Sequence, residues 1–216
     1  MVKLILKIMK SIKLLILLVV VATVSCDEFV ETDNDVFAYY HLLYLSIKDA
    51  SGNDLVKGIG LESWRGETEE EATGGIVMPD LYTLEYIFPN HWQSQSFGHY
   101  SRFSFINGKV FKEANPELKH DDYDLLQFYV YTHSVHYGYG IVVKVPFAEK
   151  VTFKLKCPYI FGNDTEHEIV TWWKRSEKSS NAALCYRIEL GGKEFTKITY
   201  SPNEDISCAT VIWEDK

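Results

Sequence analysis

Three cysteines lie in the body of the chain, and their thiols are the first groups that could do chemistry. No Cys-x-x-Cys pair occurs, so their spacing supports neither a thioredoxin-like redox centre nor a zinc ribbon. Cys157 is predicted on the apolar face of its strand, whereas Cys185 is predicted on the same face as the charged Arg187. This difference in facing disfavours a disulfide between the two, because the Cα–Cβ bonds of a disulfide must converge. A Cys185–Cys208 bridge is the alternative. We interpret all three as buried thiols that pack as small apolar residues.

Two histidines and two acidic segments are the candidates for metal binding. His133 and His136 are three residues apart, but they lie where a strand runs into a turn rich in Tyr and Gly, so their side chains need not converge. Segments 120–124 and 163–168 carry the oxygen ligands that Ca²⁺ prefers, without the EF-hand pattern. We interpret these segments as polar turns and predict neither a metal nor another cofactor.

Motifs for nucleophilic or phosphate chemistry are missing from the sequence. It contains no Gly-x-Ser-x-Gly elbow and no Gly-x-x-x-x-Gly-Lys loop. With 30 Asp and Glu residues, carboxylate pairs are so plentiful that no glycosidase-like pair stands out. We therefore predict no catalytic residue and keep a carboxylate-dependent hydrolase as the alternative function.

Aromatic residues give the clearest indication of binding. Trp92 lies beside His91 and Gln93 in a loop-like stretch, where an exposed ring suits stacking on a sugar. Trp172 and Trp173 are adjacent on a predicted strand, so they must point to opposite faces. We take Trp92, His91, Trp172 and Trp173 as candidate ligand-binding residues. The alternative is that these rings belong to the core, where most Trp side chains are found.

Residues 1–25 have the pattern of a cleaved export signal. Four lysines precede an apolar run, Leu14 to Val24, which ends next to Ser25 and Cys26. A membrane-spanning helix needs about 20 apolar residues, and this run is too short. Cleavage is therefore predicted over a permanent span.

The segment Thr23-Val24-Ser25-Cys26 resembles the lipobox of bacterial lipoproteins, with Thr23 where Leu, Val or Ile is usual. The resemblance implies that the chain is cut before Cys26 and that its thiol is acylated, which would attach the protein to a membrane. An ordinary signal peptide cut near Ser25 is the alternative.

Residues 26–36 form an acidic tether, which looks like the surface-export signal of Bacteroidota lipoproteins. That resemblance implies an outer-membrane location facing the cell surface, with the periplasmic face as the alternative.

Charge argues against a nucleic-acid partner. The chain has a formal net charge of −8, and removal of the four leader lysines lowers it to −12. Nucleic-acid binders carry basic surfaces instead. Attraction to anionic lipids is also disfavoured, which leaves the lipid on Cys26 as the expected membrane attachment.

Residues 37–216 are predicted to form one all-β domain, a β-sandwich of the immunoglobulin-like or transthyretin-like kind. Short β-rich runs alternate with turn residues, and in Val151–Cys157 every second residue is apolar. Leu190 to Gly192 is predicted as a three-residue hairpin loop that brings Tyr186 and Ile188 onto one side. Asn115 is predicted to cap the start of a helix.

Two further segments support a family resemblance. The hairpin at 45–56 resembles the first hairpin of transthyretin-like and immunoglobulin-like sandwiches on bacterial surfaces. With Met-Pro-Asp-Leu-Tyr-Thr-Leu at 78–84 and Cys-Pro-Tyr-Ile-Phe-Gly at 157–162, the chain is similar to lipoproteins common in gut Bacteroidota. The resemblance implies a surface lipoprotein and brings no activity with it.

The leading hypothesis is a non-catalytic surface protein that binds a glycan or a protein ligand. A carboxylate-dependent hydrolase and a structural subunit of an adhesin or pilus-like polymer are the alternatives.

Overall fold

A computed structural model describes residues 38–68, 71–87, 103–133, 135–137, 141–143 and 147–214. These residues form fourteen β-strands, two short α-helices and a 3₁₀ turn at Pro79–Leu81. The strands are β1 (Ala38–Asp49), β2 (Leu61–Arg65), β3 (Gly74–Val77), β4 (Thr83–Ile87), β5 (Ser104–Ile106), β6 (Leu125–His133), β7 (Val135–Tyr137), β8 (Ile141–Val143), β9 (Lys150–Lys156), β10 (His167–Arg175), β11 (Ala182–Leu190), β12 (Lys193–Phe195), β13 (Ile198–Tyr200) and β14 (Ser207–Trp213). The helices are α1 (Gly108–Ala114) and α2 (Pro158–Phe161). No helix among the described residues has the length and apolar content needed to cross a membrane.

Twelve of the strands form one mixed sheet in which β1 is the central strand. The order is β2-β3-β5-β6-β1-β11-β10-β9-β4, with β12 paired to β11 and β13 paired to β14. One edge of β1 pairs with β6. On its other edge, Tyr40 and His41 pair with β11, and the stretch from Leu43 to Asp49 pairs with β14. Because β1 changes partner along its length, the sheet divides into two layers at this strand.

Ring contacts show that the two layers face each other. Phe128 of β6 and Phe153 of β9 have ring centroids 4.9 Å apart, although β6 and β9 are four places apart in the strand order. In a flat sheet that separation would be about 19 Å. The sheet therefore folds back on itself, and the prediction of an all-β sandwich is confirmed. We call β2-β3-β5-β6-β1-β14-β13 the first layer and β4-β9-β10-β11-β12 the second layer.

The core between the layers follows from alternation along the strands. In β9, Val151, Phe153 and Leu155 are buried, and the residues between them are partly exposed. The β1 residues Leu43 and Leu45 meet them from the first layer. Fully burying an aliphatic or Phe side chain contributes about 1.5–3 kcal/mol, so this shared core is what holds the layers together.

The segment between β5 and β6 covers the outer face of the first layer. Its helix α1 begins after Asn107, whose side chain accepts hydrogen bonds from the N–H groups of Lys109 and Val110, and ends at Asn115. The predicted helix start at Asn115 is therefore wrong, because this Asn ends a helix that Asn107 begins. Only glycine fits at position 108, where α1 approaches the backbone of Tyr123, because a Cβ there would lie 2.1 Å from the Tyr123 carbonyl oxygen.

Strand β11 departs from the predicted facing because it contains a β-bulge. Trp172 pairs with Arg187 and Trp173 with Cys185, so Tyr186 is the extra residue and is exposed. Cys185 therefore joins Ile188 in the core instead of sharing the face of Arg187. Because the extra residue shifts the alternation of inward and outward side chains, the predicted facing of Cys185 and Tyr186 is wrong.

The turn after β11 is also tighter than predicted. Leu190 pairs with Lys193, so the loop has two residues, Gly191 and Gly192, instead of three. Both glycines have positive φ angles, 60° and 76°, as a type I′ turn requires.

All three cysteines of the described residues are buried free thiols, as predicted. Cys157 and Cys185 lie in the core, and Cys208 lies on the outer face of the first layer beneath α1.

Candidate ligand-binding groove

A groove of about 660 Å³ lies on the outer face of the first layer. Its floor is formed by β2, β3, β5, β6 and β1, and one wall is formed by α1. Its volume falls within the range of small-molecule sites. The side chains used below to describe it are Tyr44, Ser63, Arg65, Ile76, Ser104, Ile106, Val110, Phe111, Asn115 and Gln127.

One row of floor residues is set by strand register. Successive pairs join Ser63 to Ile76, Ile76 to Ser104, Ser104 to Gln127, and Gln127 to Tyr44. Because directly paired residues point to the same face, the five side chains form a line across the strands. We call this line the central row. It places two hydroxyls, an amide and a phenol ring along the floor.

A second row runs beside the first and contains the charged end of the groove. Arg65 pairs with Gly74, and Gly74 pairs with Ile106. Since Gly74 has no side chain, the space between Arg65 and Ile106 is left open. Among the residues of this second row, only Arg65 and Ile106 therefore place side chains over the floor.

Strand β2 is held close to β3 by Gly75. A Cβ at this position would lie 2.3 Å from the Ser63 carbonyl oxygen, so any larger residue would push the two strands apart. Gly75 pairs with Trp64, whose side chain is 45% exposed at the margin of the groove. The glycine thus fixes the positions of Ser63 and Arg65.

The helical wall is anchored by Phe111. This ring is 4% exposed and contacts the ring of Tyr44 at a centroid distance of 4.7 Å. The Asn115 side chain donates to the Phe111 carbonyl oxygen at 3.0 Å, while Val110 faces solvent. This aromatic contact helps to join the wall to the floor.

The electrostatics of the groove differ from those of the whole chain. Among the described residues that line it, Arg65 carries the only charge and none is acidic, although the chain has 30 Asp and Glu residues. Burial raises the pKa of Tyr44, Cys208 and Asp205 raise it further, and the positive charge of Arg65 opposes that rise. Arg65 thus supplies a positive charge at the β2 end of the groove.

Beneath α1, the segment 120–124 has a structural role. The buried His120 ring is 2.7 Å from the Ser46 hydroxyl, and the Asp124 carboxylate accepts the Gly108 N–H at 2.9 Å. Lys112 pairs with Asp122 at 2.8 Å. Within the described part of the chain, no cluster of three or more His, Cys, Asp or Glu side chains could hold a metal ion. These side chains attach the groove wall to the sheet.

The chemistry that the groove offers is that of recognition. Its described lining presents hydroxyl, amide and guanidinium donors beside apolar surface, and it includes no imidazole, thiol or carboxylate. Such groups form hydrogen bonds to a polar ligand and fix its orientation.

Trp172 and Trp173 lie outside the groove and point to opposite faces of β10, as predicted. Trp173 is 2% exposed, donates from Nε1 to the Thr171 hydroxyl at 2.7 Å, and contacts the His41 ring at 4.9 Å. It also borders a shallow cleft with Phe147 and Tyr186.

Trp172 lies on the outer face of the second layer and is only partly exposed. The Arg187 guanidinium lies 4.0 Å from its ring centroid, and the Lys150 ammonium lies 5.4 Å away. This tryptophan is therefore already engaged by cations. A ligand-binding role for Trp172 or Trp173 stays a prediction.

The remaining predicted site residues, Cys26, His91 and Trp92, lie outside the described residues. The groove residues were not predicted. Ser104 and Gln127 could have been noticed as polar residues that alternate with the buried Phe105, Leu126 and Phe128, but their alignment requires the register of separate strands.

Comparison of the chain with protein-family models, with curated proteins and with solved structures finds no match. The groove and the fold are therefore the basis for a function.

Proposed function

We propose that the protein is a lipid-anchored surface protein whose β-sandwich is a non-catalytic binding module for a glycan. The observation that carries this proposal is the central row, which aligns hydroxyl and amide groups next to the Tyr44 ring in an open groove. Sugars are bound by such combinations, because their hydroxyls need hydrogen-bond partners and their apolar faces pack on aromatic rings.

A polar floor favours a glycan over an apolar ligand. Ser104 and Gln127 are half-buried side chains on adjacent strands. If they met an apolar ligand, their polar atoms would lose water without gaining a partner, which costs about 1–3 kcal/mol per group. A protein ligand is the competing outcome of the test below.

The test fills the groove from its floor. Ser104→Trp places a large ring in the central row, and Thr152→Trp places the same ring on the outer face of the second layer as the matched control. On a glycan array followed by calorimetry, we expect Ser104→Trp to weaken binding of the best glycan at least tenfold and Thr152→Trp to leave it unchanged. Equal binding by the two variants, or no glycan bound by wild type, would contradict the proposal.

The membrane attachment is tested separately. Lipid on Cys26 is supported by the basic leader, the short apolar run and the lipobox resemblance, and each buried CH₂ of an acyl chain contributes about 0.8 kcal/mol to membrane binding. Metabolic labelling with a palmitate analogue should mark wild type and not Cys26→Ala. Protease treatment of intact cells should then degrade a chain that faces the cell surface, and a protected chain would place it in the periplasm.

A further inference from the structure

We propose that the groove selects saccharides that carry a carboxylate, and that Arg65 is the residue that recognises it. The inference rests on the proposed glycan-binding function and adds the chemical class of the ligand. It follows from three features of the β2 end of the groove: its charge, its open space and its fixed backbone.

The charge is the first feature. Arg65 is exposed, and no carboxylate of the described residues forms an ion pair with its guanidinium. The described lining contains no other charge. By contrast, Arg187 on the second layer is paired with Glu194 at 2.8 Å. With respect to the described residues, the five N–H donors of Arg65 are thus open to an acceptor in the groove.

The space is the second feature. The residue paired with Arg65 is Gly74, and the next along the row is Ile106. A Cβ at position 74 would lie 3.2 Å from the Phe105 carbonyl oxygen and 4.0 Å from the Ile106 side chain, so the glycine keeps this part of the row free of a side chain. The glycine leaves room there for a planar group to meet the guanidinium edge-on, the geometry in which Arg and a carboxylate form two parallel hydrogen bonds.

The backbone is the third feature. The carbonyl oxygen of Arg65 accepts the Thr73 N–H at 2.7 Å and the Thr73 hydroxyl at 3.1 Å. These bonds hold the main chain at the end of β2, so that only the side chain of Arg65 must become ordered when a ligand binds. Less conformational entropy is then lost for each hydrogen bond formed.

A carboxylate matches this site better than a phosphate. One guanidinium supplies one positive charge, whereas a phosphate monoester carries about −1.5 to −2 at neutral pH. The neighbouring hydroxyls and amide, Ser63, Ser104 and Gln127, lie where the neutral hydroxyls of the same sugar chain would extend along the central row.

Two matched pairs of saccharides test the inference on the full chain in detergent. The first pair is trigalacturonic acid and its methyl ester, which share one backbone and differ in charge, and the second pair is sialyllactose and lactose. We expect wild type to bind at least one acid at least tenfold more tightly than its neutral counterpart. Arg65→Gln should abolish this preference, Arg65→Lys should retain part of it, and Lys197→Gln, which removes the same charge from an exposed site outside the groove, should leave it intact.

The outcomes separate the inference from its premise. If acid and neutral forms bind wild type equally, or if the preference survives Arg65→Gln, the carboxylate inference is overturned while glycan binding stands. If saccharides of neither kind bind wild type, on the array or in these pairs, both the inference and the proposed function fail.

Discussion

The outer faces of the two layers differ in how their charges are partnered. On the second layer, Lys154 pairs with Glu166 at 3.2 Å and Lys156 with Asp164 at 3.0 Å. Arg187 pairs with Glu194 and also lies over Trp172. The first layer carries instead the helix α1 and a groove whose described lining has one charge, Arg65. Among the described residues, the second layer thus pairs several of its surface charges with one another, whereas the groove on the first layer contains one charge without an ion-pair partner.

The difference shows that aromatic and charged residues alone do not identify a binding face. The second layer has the adjacent tryptophans that were predicted as candidate ligand-binding residues, but cations already lie over the ring of Trp172. The first layer has ordinary residues, Ser104 and Gln127, brought into line by register. A binding surface is recognised by which polar groups lack internal partners and by whether a concave space is kept open beside them.

The largest effect should follow from breaking the wall of the groove. Phe111→Ala removes a buried ring that contacts Tyr44 and His120. Replacing a buried Phe by Ala typically lowers the free energy of unfolding by about 3–5 kcal/mol. We expect urea unfolding to show a loss in this range, together with loss of ligand binding. Val110→Ala, at the exposed neighbouring position, should change the free energy of unfolding by less than about 0.5 kcal/mol. A small effect of Phe111→Ala would mean that α1 does not depend on this contact.

The next effect concerns pH and distinguishes two histidines of the first layer, His41 on its core side and His120 beneath α1. Burial lowers the pKa of His41, which contacts Trp173 of the second layer, to about 4. Its neutral form is therefore favoured in the folded state, whereas the unfolded chain takes up a proton near pH 6.5. Stability should fall as the pH drops from about 6.5 towards 4, by about 3 kcal/mol in total.

The measurement is the free energy of unfolding in urea at several pH values between 7 and 4. His41→Gln should flatten this dependence, although it lowers stability at neutral pH through loss of the hydrogen bond between Nε2 and the Ala148 carbonyl. Burial also lowers the pKa of His120, on the groove side, so a smaller slope of the same sign should persist. An unchanged slope in His41→Gln would show that another group controls the acid response.

Local alternation was the part of the fold that could be predicted from the sequence. Val151, Phe153 and Leu155 face the core, and Trp172 and Trp173 face opposite ways, because a strand imposes a period of two wherever it is regular. The prediction failed at Tyr186, since a bulge is set by how β11 pairs with β10 and leaves no mark in the sequence of β11 alone.

The groove was beyond sequence reasoning for a related reason. Ser63 and Gln127 belong to one row only because β3 and β5 lie between their strands in matching register. The wall was missed because Asn115 followed by Pro116 resembles a helix start as closely as Asn107 followed by Gly108. The two sequences differ in their tertiary packing, because Phe111 and Leu118 are buried against the sheet.

The smallest effect tests the comparison itself. Trp172→Ala removes the partly exposed ring that Arg187 and Lys150 contact on the second layer, and a cation–π contact near the surface contributes about 0.5–1 kcal/mol. We expect a loss of about 1 kcal/mol in the free energy of unfolding, and saccharide binding equal to that of wild type. Gln127→Ala is the opposite case, because it removes a half-buried amide from the central row and should weaken binding while leaving stability nearly unchanged. If Trp172→Ala weakens binding and Gln127→Ala does not, the ligand site lies on the second layer, and the partnered charges there would have to open to admit it.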